Sequence, residues 1–139
     1  MSPPMICPSL KLCGRLNAFQ KVMLHWSELH PYNAAHVYKI AGPLRLEALT
    51  EALDEAYRFN GIGAVEIEDD GVRYHHEPDD VPEIPVFQGG EDPEGVLAAQ
   101  LTRELNRPFD RPRCQPLRYS VIDAGPSVHY VAATYDHWV

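Results

Sequence analysis

The chain has 139 residues, a length that fits one domain, and its 20 acidic against 12 basic side chains give a formal net charge of -8 at pH 7. Nucleic acids and anionic membranes both recruit basic surfaces, so this balance argues against either as a partner. No apolar stretch approaches the ~20 residues that cross a bilayer. Residues 1–7 lack the charged and apolar regions of a signal peptide. The expected location is therefore the cytoplasm.

Cysteine and histidine spacing gives little support for metal chemistry. Cys7, Cys13 and Cys114 are an odd number of cysteines without metal-ligand spacing, which favours buried or inert thiols in a reducing compartment. His75 and His76 are adjacent on a predicted hairpin, where neighbouring side chains diverge. No cysteine or carboxylate stands at zinc-ligand spacing from them. We therefore expect no metal site.

The N-terminal part of the chain predicts a short strand and then a helix. The strand is expected around residues 10–12. Asn17 is placed to cap a helix over Ala18–Leu29, because apolar residues recur there every three or four positions. These residues form one predicted apolar stripe, made of Phe19, Val22, Met23, Trp26 and Leu29.

The next segment alternates strands with one strongly amphipathic helix. Residues 34–40 show the alternation of a strand. Residues 44–58 place leucines on one helical face, and Asn60 followed by glycine is a typical helix end. Residues 64–68 and 72–76 flank an Asp-Asp-Gly turn, which predicts a hairpin.

The C-terminal part predicts a third helix and a second hairpin. Residues 86–87 are long enough only for a marginal strand. Asp92 can cap a helix over Pro93–Asn106. Residues 117–122 and 128–135 are rich in β-branched and aromatic side chains and flank a turn. Hairpins mixed with crossover helices predict the α+β (mixed α/β) class, as a two-layer sandwich of helices packed on a mixed sheet.

The last predicted strand delivers Asp136 and His137 at its exit. An imidazole has an ordinary pKa near ~6.5 and can take up a proton near neutral pH, and strand ends are common mounts for catalytic groups. His137 is therefore the candidate catalytic residue, and a packing residue is the alternative interpretation of this position. Asp136 has two interpretations. It could favour the imidazolium form of His137, or it could be a hydrogen-bonded carboxylate that only fixes the strand end.

Four segments, in chain order, carry a family resemblance: residues 15–24 (RLNAFQKVML), 38–44 (YKIAGPL), 107–118 (RPFDRPRCQPLR) and 136–139 (DHWV). They resemble the condensation domains of nonribosomal peptide synthetases, members of the chloramphenicol-acetyltransferase-like acyltransferase superfamily. The first resembles that family's Ser-x-x-Gln helix, with Gln20 retained and Asn17 where serine is usual. The others resemble its Gly-x-Leu turn, its Pro-Phe-Asp to Pro-Leu-Arg segment and its HHxxxDG motif.

This resemblance implies that residues 1–139 are a single domain, the N-terminal lobe of a chloramphenicol-acetyltransferase-like fold. His137 would be the motif's second histidine, which helps an amine or hydroxyl acceptor attack a thioester. Arg15 and Arg118 are candidate structural partners for the motif's aspartate. No cofactor would bind directly, because the acyl donor would be a phosphopantetheine thioester on a carrier protein or a coenzyme A thioester.

The sequence also departs from the family. Asp136 replaces the motif's first histidine, the motif's own Asp and Gly would lie beyond Val139, and residues 61–63 replace an apolar residue followed by Leu-Arg. We expect a lobe that is inactive alone and that dimerises or associates with a missing C-terminal lobe. Two alternatives remain: a noncatalytic module that binds a carrier protein or another partner, and a coenzyme-A-dependent acyltransferase of the same superfamily.

Overall fold

The computed structural model describes residues 5–6, 12–78 and 80–139 of the chain. Within these residues the chain forms three helices and nine strands. The helices are α1 (Ala18–Leu29), α2 (Leu46–Asn60) and α3 (Pro93–Asn106). The strands are β1 (Met5–Ile6), β2 (Leu12–Arg15), β3 (Asn33–Ala41), β4 (Ala64–Ile67), β5 (Arg73–Glu77), β6 (Val86–Gln88), β7 (Arg113–Cys114), β8 (Leu117–Asp123) and β9 (Val128–Asp136). This content confirms the α+β class.

The strands form two sheets. The first has the order β1-β2-β5-β4-β7, and each of its described pairings is antiparallel. The second has the order β3-β9-β8-β6 and is mixed, because β6 runs parallel to β8 whereas the other pairings are antiparallel. Both hairpins were predicted, but the separation into two sheets was not. Of the strand predicted at residues 10–12, residues 10–11 lie outside the described range and Leu12 begins β2.

Helices α2 and α3 contact opposite faces of β8 in the second sheet. On β8, Ser120 faces α3, where the side-chain amide of Gln100 donates to its hydroxyl at 3.2 Å. The hydroxyl of the preceding residue, Tyr119, lies 3.2 Å from the hydroxyl of Tyr57 on α2. Neighbouring strand residues point to opposite faces, so both sides of β8 are covered. Ile122 on this strand is accordingly fully buried.

Helix α1 begins with a capping box, as its sequence predicts. The side-chain oxygen of Asn17 accepts from the backbone N–H of Gln20 at 2.8 Å, and the side-chain oxygen of Gln20 accepts from the backbone N–H of Asn17 at 2.9 Å. Two backbone donors that the helix itself leaves unpaired are thereby satisfied. The amide of Gln20 also donates to the carbonyl of Trp138 at 3.3 Å. The start of α1 is therefore fixed against the segment that carries His137.

Replacing Asn17 with alanine is expected to lower the free energy of unfolding by about 1 kcal/mol, because the N-cap acceptor is lost. Urea denaturation followed by circular dichroism measures the change. Lys21→Ala is the matched control, because Lys21 is exposed on the same helix and takes no part in the cap. Its free energy of unfolding should stay within about 0.5 kcal/mol of that of the unmodified chain. Equal destabilisation by the two variants would contradict the capping role.

The glycines at residues 61–63, where the sequence departs from the resembled family, have a local structural reason. Gly61 ends α2 in the left-handed conformation, with φ of 66°. At Gly63 a Cβ atom would lie 1.8 Å from the carbonyl oxygen of Glu77, so a side chain cannot be accommodated without a backbone shift. The turn from α2 into β4 therefore depends on both glycines.

The cysteine prediction needs one correction. Cys13 on β2 is buried, as expected, but it is disulfide-bonded, so the expectation of a reduced thiol is wrong for this residue. Cysteine number and spacing do not reveal which cysteines meet in space, and this is why the pairing was missed. Cys7 lies outside the described residues. Cys114 has a free thiol, and burial raises its pKa to about 11, which keeps it in the unreactive thiol form at neutral pH.

His76 on β5 is a buried imidazole with a clear electrostatic consequence. Its Nδ1 lies 3.0 Å from the carbonyl oxygen of Gly63. Burial lowers the pKa of His76 below its ordinary value, and this hydrogen bond opposes the shift only in part. The unfolded chain therefore binds the proton more tightly than the folded chain. The resulting stability is fully present above about pH 6.5 and is lost as the pH falls towards the lower folded-state pKa.

Substituting His76 with asparagine is expected to flatten the dependence of stability on pH, because the group whose pKa differs between the two states is removed. The free energy of unfolding, measured in urea between about pH 5 and pH 7.5, should rise with pH less steeply than in the unmodified chain. His25→Asn, on the exposed surface of α1, is the control and should keep the original slope. An unchanged slope in the His76 variant would rule this source of acid sensitivity out.

Candidate active site

His137 lies directly after β9 and is exposed to solvent. Its backbone N–H donates to the carbonyl of Tyr32 at 3.0 Å. Its ring makes edge-on contacts with the rings of Tyr32 and Phe19, at centroid distances of 5.2 and 6.3 Å. This imidazole therefore lies where the segment before β3, helix α1 and the end of β9 meet.

The surroundings of His137 leave its ring nitrogens available for chemistry. Among the described residues neither ring nitrogen forms a hydrogen bond or an ion pair, although the ring itself is held between two aromatic side chains. An imidazole fixed in this way, with open nitrogens, can accept a proton from an acceptor amine or hydroxyl, or can orient that group by a hydrogen bond.

Asp136 has an environment opposite to that of His137. It is 2% exposed, and a guanidinium nitrogen of Arg111 donates to one of its carboxylate oxygens. Burial raises the pKa of Asp136, while the adjacent guanidinium opposes the increase. The other oxygen, Oδ1, has no hydrogen-bond partner among the described residues. The carboxylate therefore pairs with Arg111. This contact fits the interpretation in which Asp136 fixes the end of the strand.

Arg111 was not singled out by sequence reasoning. It follows the Pro-Phe-Asp segment and lies 25 residues before its partner Asp136. Its guanidinium also donates to the hydroxyl of Ser27 on α1 at 3.2 Å and lies 5.6 Å from the ring centroid of Trp138. Neither local spacing nor periodicity signals a contact between such distant positions.

Arg118, one of the two predicted structural arginines, fastens β8 to α3 and the segment after it. Its Nε lies 2.7 Å from a carboxylate oxygen of the buried Glu104. The guanidinium donates to the carbonyls of Glu104, Arg107 and Pro108, and it covers the ring of Phe109 at 3.9 Å. This arrangement explains locally why the Pro-Phe-Asp and Pro-Leu-Arg segments occur together.

Arg15, the other predicted arginine, is exposed at the end of β2 and forms no ion pair with any described residue. The structure places Arg118 close to the segment that contains Arg111, whereas Arg15 lies on the first sheet. The aspartate that either arginine was predicted to bind would follow Val139. That role therefore stays a prediction for both.

An exposed apolar surface lies beside His137. Four of the five residues of the predicted α1 stripe are open to solvent, and only Met23 is buried. We call the exposed four the α1 face: Phe19 (57% exposed), Val22 (47%), Trp26 (49%) and Leu29 (82%). Tyr32, which contacts Trp26 and His137, continues this surface. A contiguous apolar surface next to an open imidazole is typical of a face that another structure covers.

The described part of the chain contains neither a metal-binding cluster nor a membrane-spanning helix. No group of three or more histidine, cysteine, aspartate or glutamate side chains there could hold a metal ion. None of the helices is both long enough and apolar enough to cross a membrane.

Comparison with known proteins places the fold among condensation domains. The starter condensation domain of rhizomide synthetase matches with a TM-score of 0.68 at 18% identity, covering 91% of this chain and 32% of that one. The first condensation domain of the calcium-dependent antibiotic synthetase, in complex with a substrate analogue, gives a TM-score of 0.72 at 19% identity, with coverage of 89% and 33%. A mutant of the rhizomide domain, in complex with C8-CoA, gives a TM-score of 0.68 at 18% identity, with coverage of 88% and 30%.

These matches establish the fold of this chain as that of one part of a condensation domain. The chain spans about a third of the length of the domains it matches. No protein-family model and no curated protein sequence matches it.

Proposed function

We propose that this chain is one lobe of a condensation-type acyltransferase, with His137 as its active-site histidine. In this proposal the enzyme transfers an acyl or aminoacyl group from a carrier-protein thioester to an amine or hydroxyl acceptor. The observation that carries the proposal is the open imidazole of His137 at the end of β9, beside the uncovered α1 face, in a chain whose fold is that of condensation-domain lobes.

The chemistry needs one group that handles the proton of the acceptor. As the acceptor nitrogen or oxygen attacks the thioester carbonyl carbon, its proton passes to a ring nitrogen of His137 and the pantetheine thiolate departs. The proton then returns to the thiolate, so that the products are an amide or ester and a free thiol. General-base help of this kind is worth about 10²–10⁴-fold in rate. A histidine that only orients the acceptor by a hydrogen bond is the alternative role for the same side chain.

The acyl donor in this proposal is held by phosphopantetheine on a carrier protein or by coenzyme A, and no cofactor is bound permanently. A mutant of the structurally similar rhizomide domain was solved with C8-CoA, so a free coenzyme A thioester is a practical test donor. The second wall of the active site would come from a C-terminal lobe or from a second copy of the chain, covering the α1 face. We propose a cytoplasmic location, where carrier proteins and coenzyme A are available.

The proposal is tested by measuring amide formation from an acyl-coenzyme A or acyl carrier protein and an amino-acid amide. The purified chain is assayed alone and together with a separately expressed C-terminal lobe of a condensation domain. We expect no product from the chain alone and product from the mixture. In that mixture, His137→Ala should lower the rate by about 10²–10⁴-fold. His25→Ala, an exposed histidine on α1, is the matched control and should leave the rate unchanged.

Two outcomes would count against the proposal. Product formed by the chain alone would contradict the expectation that it is inactive without a second lobe. Product formed in the mixture at an unchanged rate by the His137 variant would contradict the assigned role of this histidine.

A noncatalytic binding module is the second candidate, favoured by the presence of Asp136 where the resembled motif has its first histidine. In that case the α1 face would dock a partner lobe or a carrier protein, and His137→Ala would leave the dissociation constant unchanged. Carrier proteins are usually acidic, so the net charge of -8 argues against strong carrier binding. Titration calorimetry with a carrier protein, using the unmodified chain and the His137 variant, separates this candidate from the first.

A further inference from the structure

We propose that Arg111 is a positioning residue for His137, acting through the residues on either side of it. The inference rests on the proposed function, because it assigns the device that would hold the active-site histidine in place. It concerns a pair that belongs to this sequence: Asp136 stands where the resembled motif has a histidine, and Arg111 is its partner.

The first link runs from Arg111 to the residue before His137. The guanidinium donates to Asp136, which is 2% exposed, and to the hydroxyl of Ser27 on α1. A buried carboxylate has lost its hydration and depends on its partner for stabilisation. Asp136 therefore holds the backbone just before His137 against Arg111, and Arg111 in turn is held to α1.

The second link runs from Arg111 to the residue after His137. The guanidinium carbon lies 5.6 Å from the ring centroid of Trp138, within the range of cation–π attraction. The Trp138 ring is buried in a core cluster with Leu16, Met23 and Val65. One guanidinium thus contacts both chain neighbours of His137, and the histidine projects outward between two anchored residues.

The imidazole has no polar anchor of its own among the described residues. Among these residues, the backbone N–H of His137 bonds to the carbonyl of Tyr32, and the ring contacts only the rings of Tyr32 and Phe19. Its orientation therefore depends on the backbone path from 136 to 138. A surface pocket of about 350 Å³, lined in part by Ser27, Arg111 and Asp136, lies directly beside this ion pair. Orientation errors of about 1 Å at a reacting group can lower a rate by about 10²-fold.

The test is nuclear magnetic resonance of the isotopically labelled chain, which needs no catalytic activity. In Arg111→Met, we expect loss of the nuclear Overhauser cross-peak between the His137 and Tyr32 rings and an upward shift in the pKa of Asp136. The pKa should rise because the guanidinium that stabilises the carboxylate is gone. Arg111→Lys should restore the cross-peak in part. Arg113→Met is the matched control. Arg113 lies in the same segment as Arg111, but it makes an exposed ion pair with Asp80 instead.

If Arg111→Met does not fold, the double variant Arg111→Met with Asp136→Asn is used in its place, because it buries no uncompensated charge. We expect it to fold and still to lack the cross-peak. A folded double variant with the original His137–Tyr32 cross-peak would overturn the proposal. If the mixture with a second lobe is active, Arg111→Met should also lower kcat with little change in KM. An inactive mixture would count against the proposed function, while the cross-peaks would still decide the role of Arg111.

Discussion

Replacing Trp138 with alanine is expected to lower the free energy of unfolding by about 3–5 kcal/mol, the usual range for removing a large buried aromatic side chain. The indole is 3% exposed and packs with Leu16, Met23 and Val65. It also contacts the ring of Tyr74 edge-on at 6.2 Å. Its removal would open a cavity where α1 and the first sheet meet the end of β9. Urea denaturation followed by circular dichroism gives the change directly.

Trp26→Ala is the matched control for this experiment. Trp26 lies on the α1 face and is half exposed, so its removal from the isolated chain deletes much less buried surface. Trp138→Phe should lie between the two, because phenylalanine fills part of the space and removes an indole N–H that lacks a hydrogen-bond partner among the described residues. If Trp26→Ala destabilised the chain as much as Trp138→Ala, the assignment of the core to the Trp138 side would be wrong.

Glu104→Ala is the second substitution with a large expected effect, also about 3–5 kcal/mol. The Glu104 side chain is buried, and Arg118, Arg107 and Arg103 all lie within 4.0 Å of its carboxylate. Arg118 is itself largely buried, so the substitution would leave a guanidinium without its counter-charge. Burial already lowers the pKa of Arg118, and Glu104 opposes that shift. Removing Glu104 should therefore destabilise the charged guanidinium further.

Glu104→Gln separates charge from shape in this experiment. It keeps the side-chain volume and a hydrogen-bonding group near Gln100, so its effect measures mainly the lost charge. Glu51→Ala, at an exposed position of α2, is the control and should change stability by no more than about 0.5 kcal/mol. If Glu104→Ala were as stable as the control variant, the three carbonyl partners of Arg118 would be sufficient to stabilise its buried guanidinium.

Local chemistry made the helices predictable. The Asn17 cap and the apolar spacing after it predicted α1 over Ala18–Leu29, the bounds that the structure has. Asp92 and the proline after it did the same for α3 over Pro93–Asn106. These signals act within about one helical turn, so no knowledge of the rest of the fold is needed. The two hairpins were predicted for the same reason, because their strands are joined by short turns.

The two-residue strand β7 was missed because it depends on contacts between distant parts of the chain. Its pairing with β4 joins residues that are nearly 50 positions apart. No local pattern distinguishes it from a loop. The arginine that pairs with Asp136 was missed on the same ground, since their contact depends on where the turn after Pro-Phe-Asp comes to lie.

The α1 stripe shows where periodicity stops being informative. Its spacing indicated an apolar face, and spacing alone does not say what covers that face. In the described fold only Met23 of the five residues is buried, and the other four are open beside His137. Only Met23 of the stripe therefore belongs to the core, and the other four residues are surface. This division follows from the face that α1 turns towards the first sheet.

The sequence by itself determined the α+β class, the three helices, both hairpins and the position of His137 at the end of a strand, because each follows from capping, turn or periodic signals within a few residues. Only the tertiary structure decided that there are two sheets, that α1 leaves its apolar face open, and that Arg111 holds Asp136. These features depend on which distant residues are brought together, and that choice is made by burial and charge pairing over the whole chain.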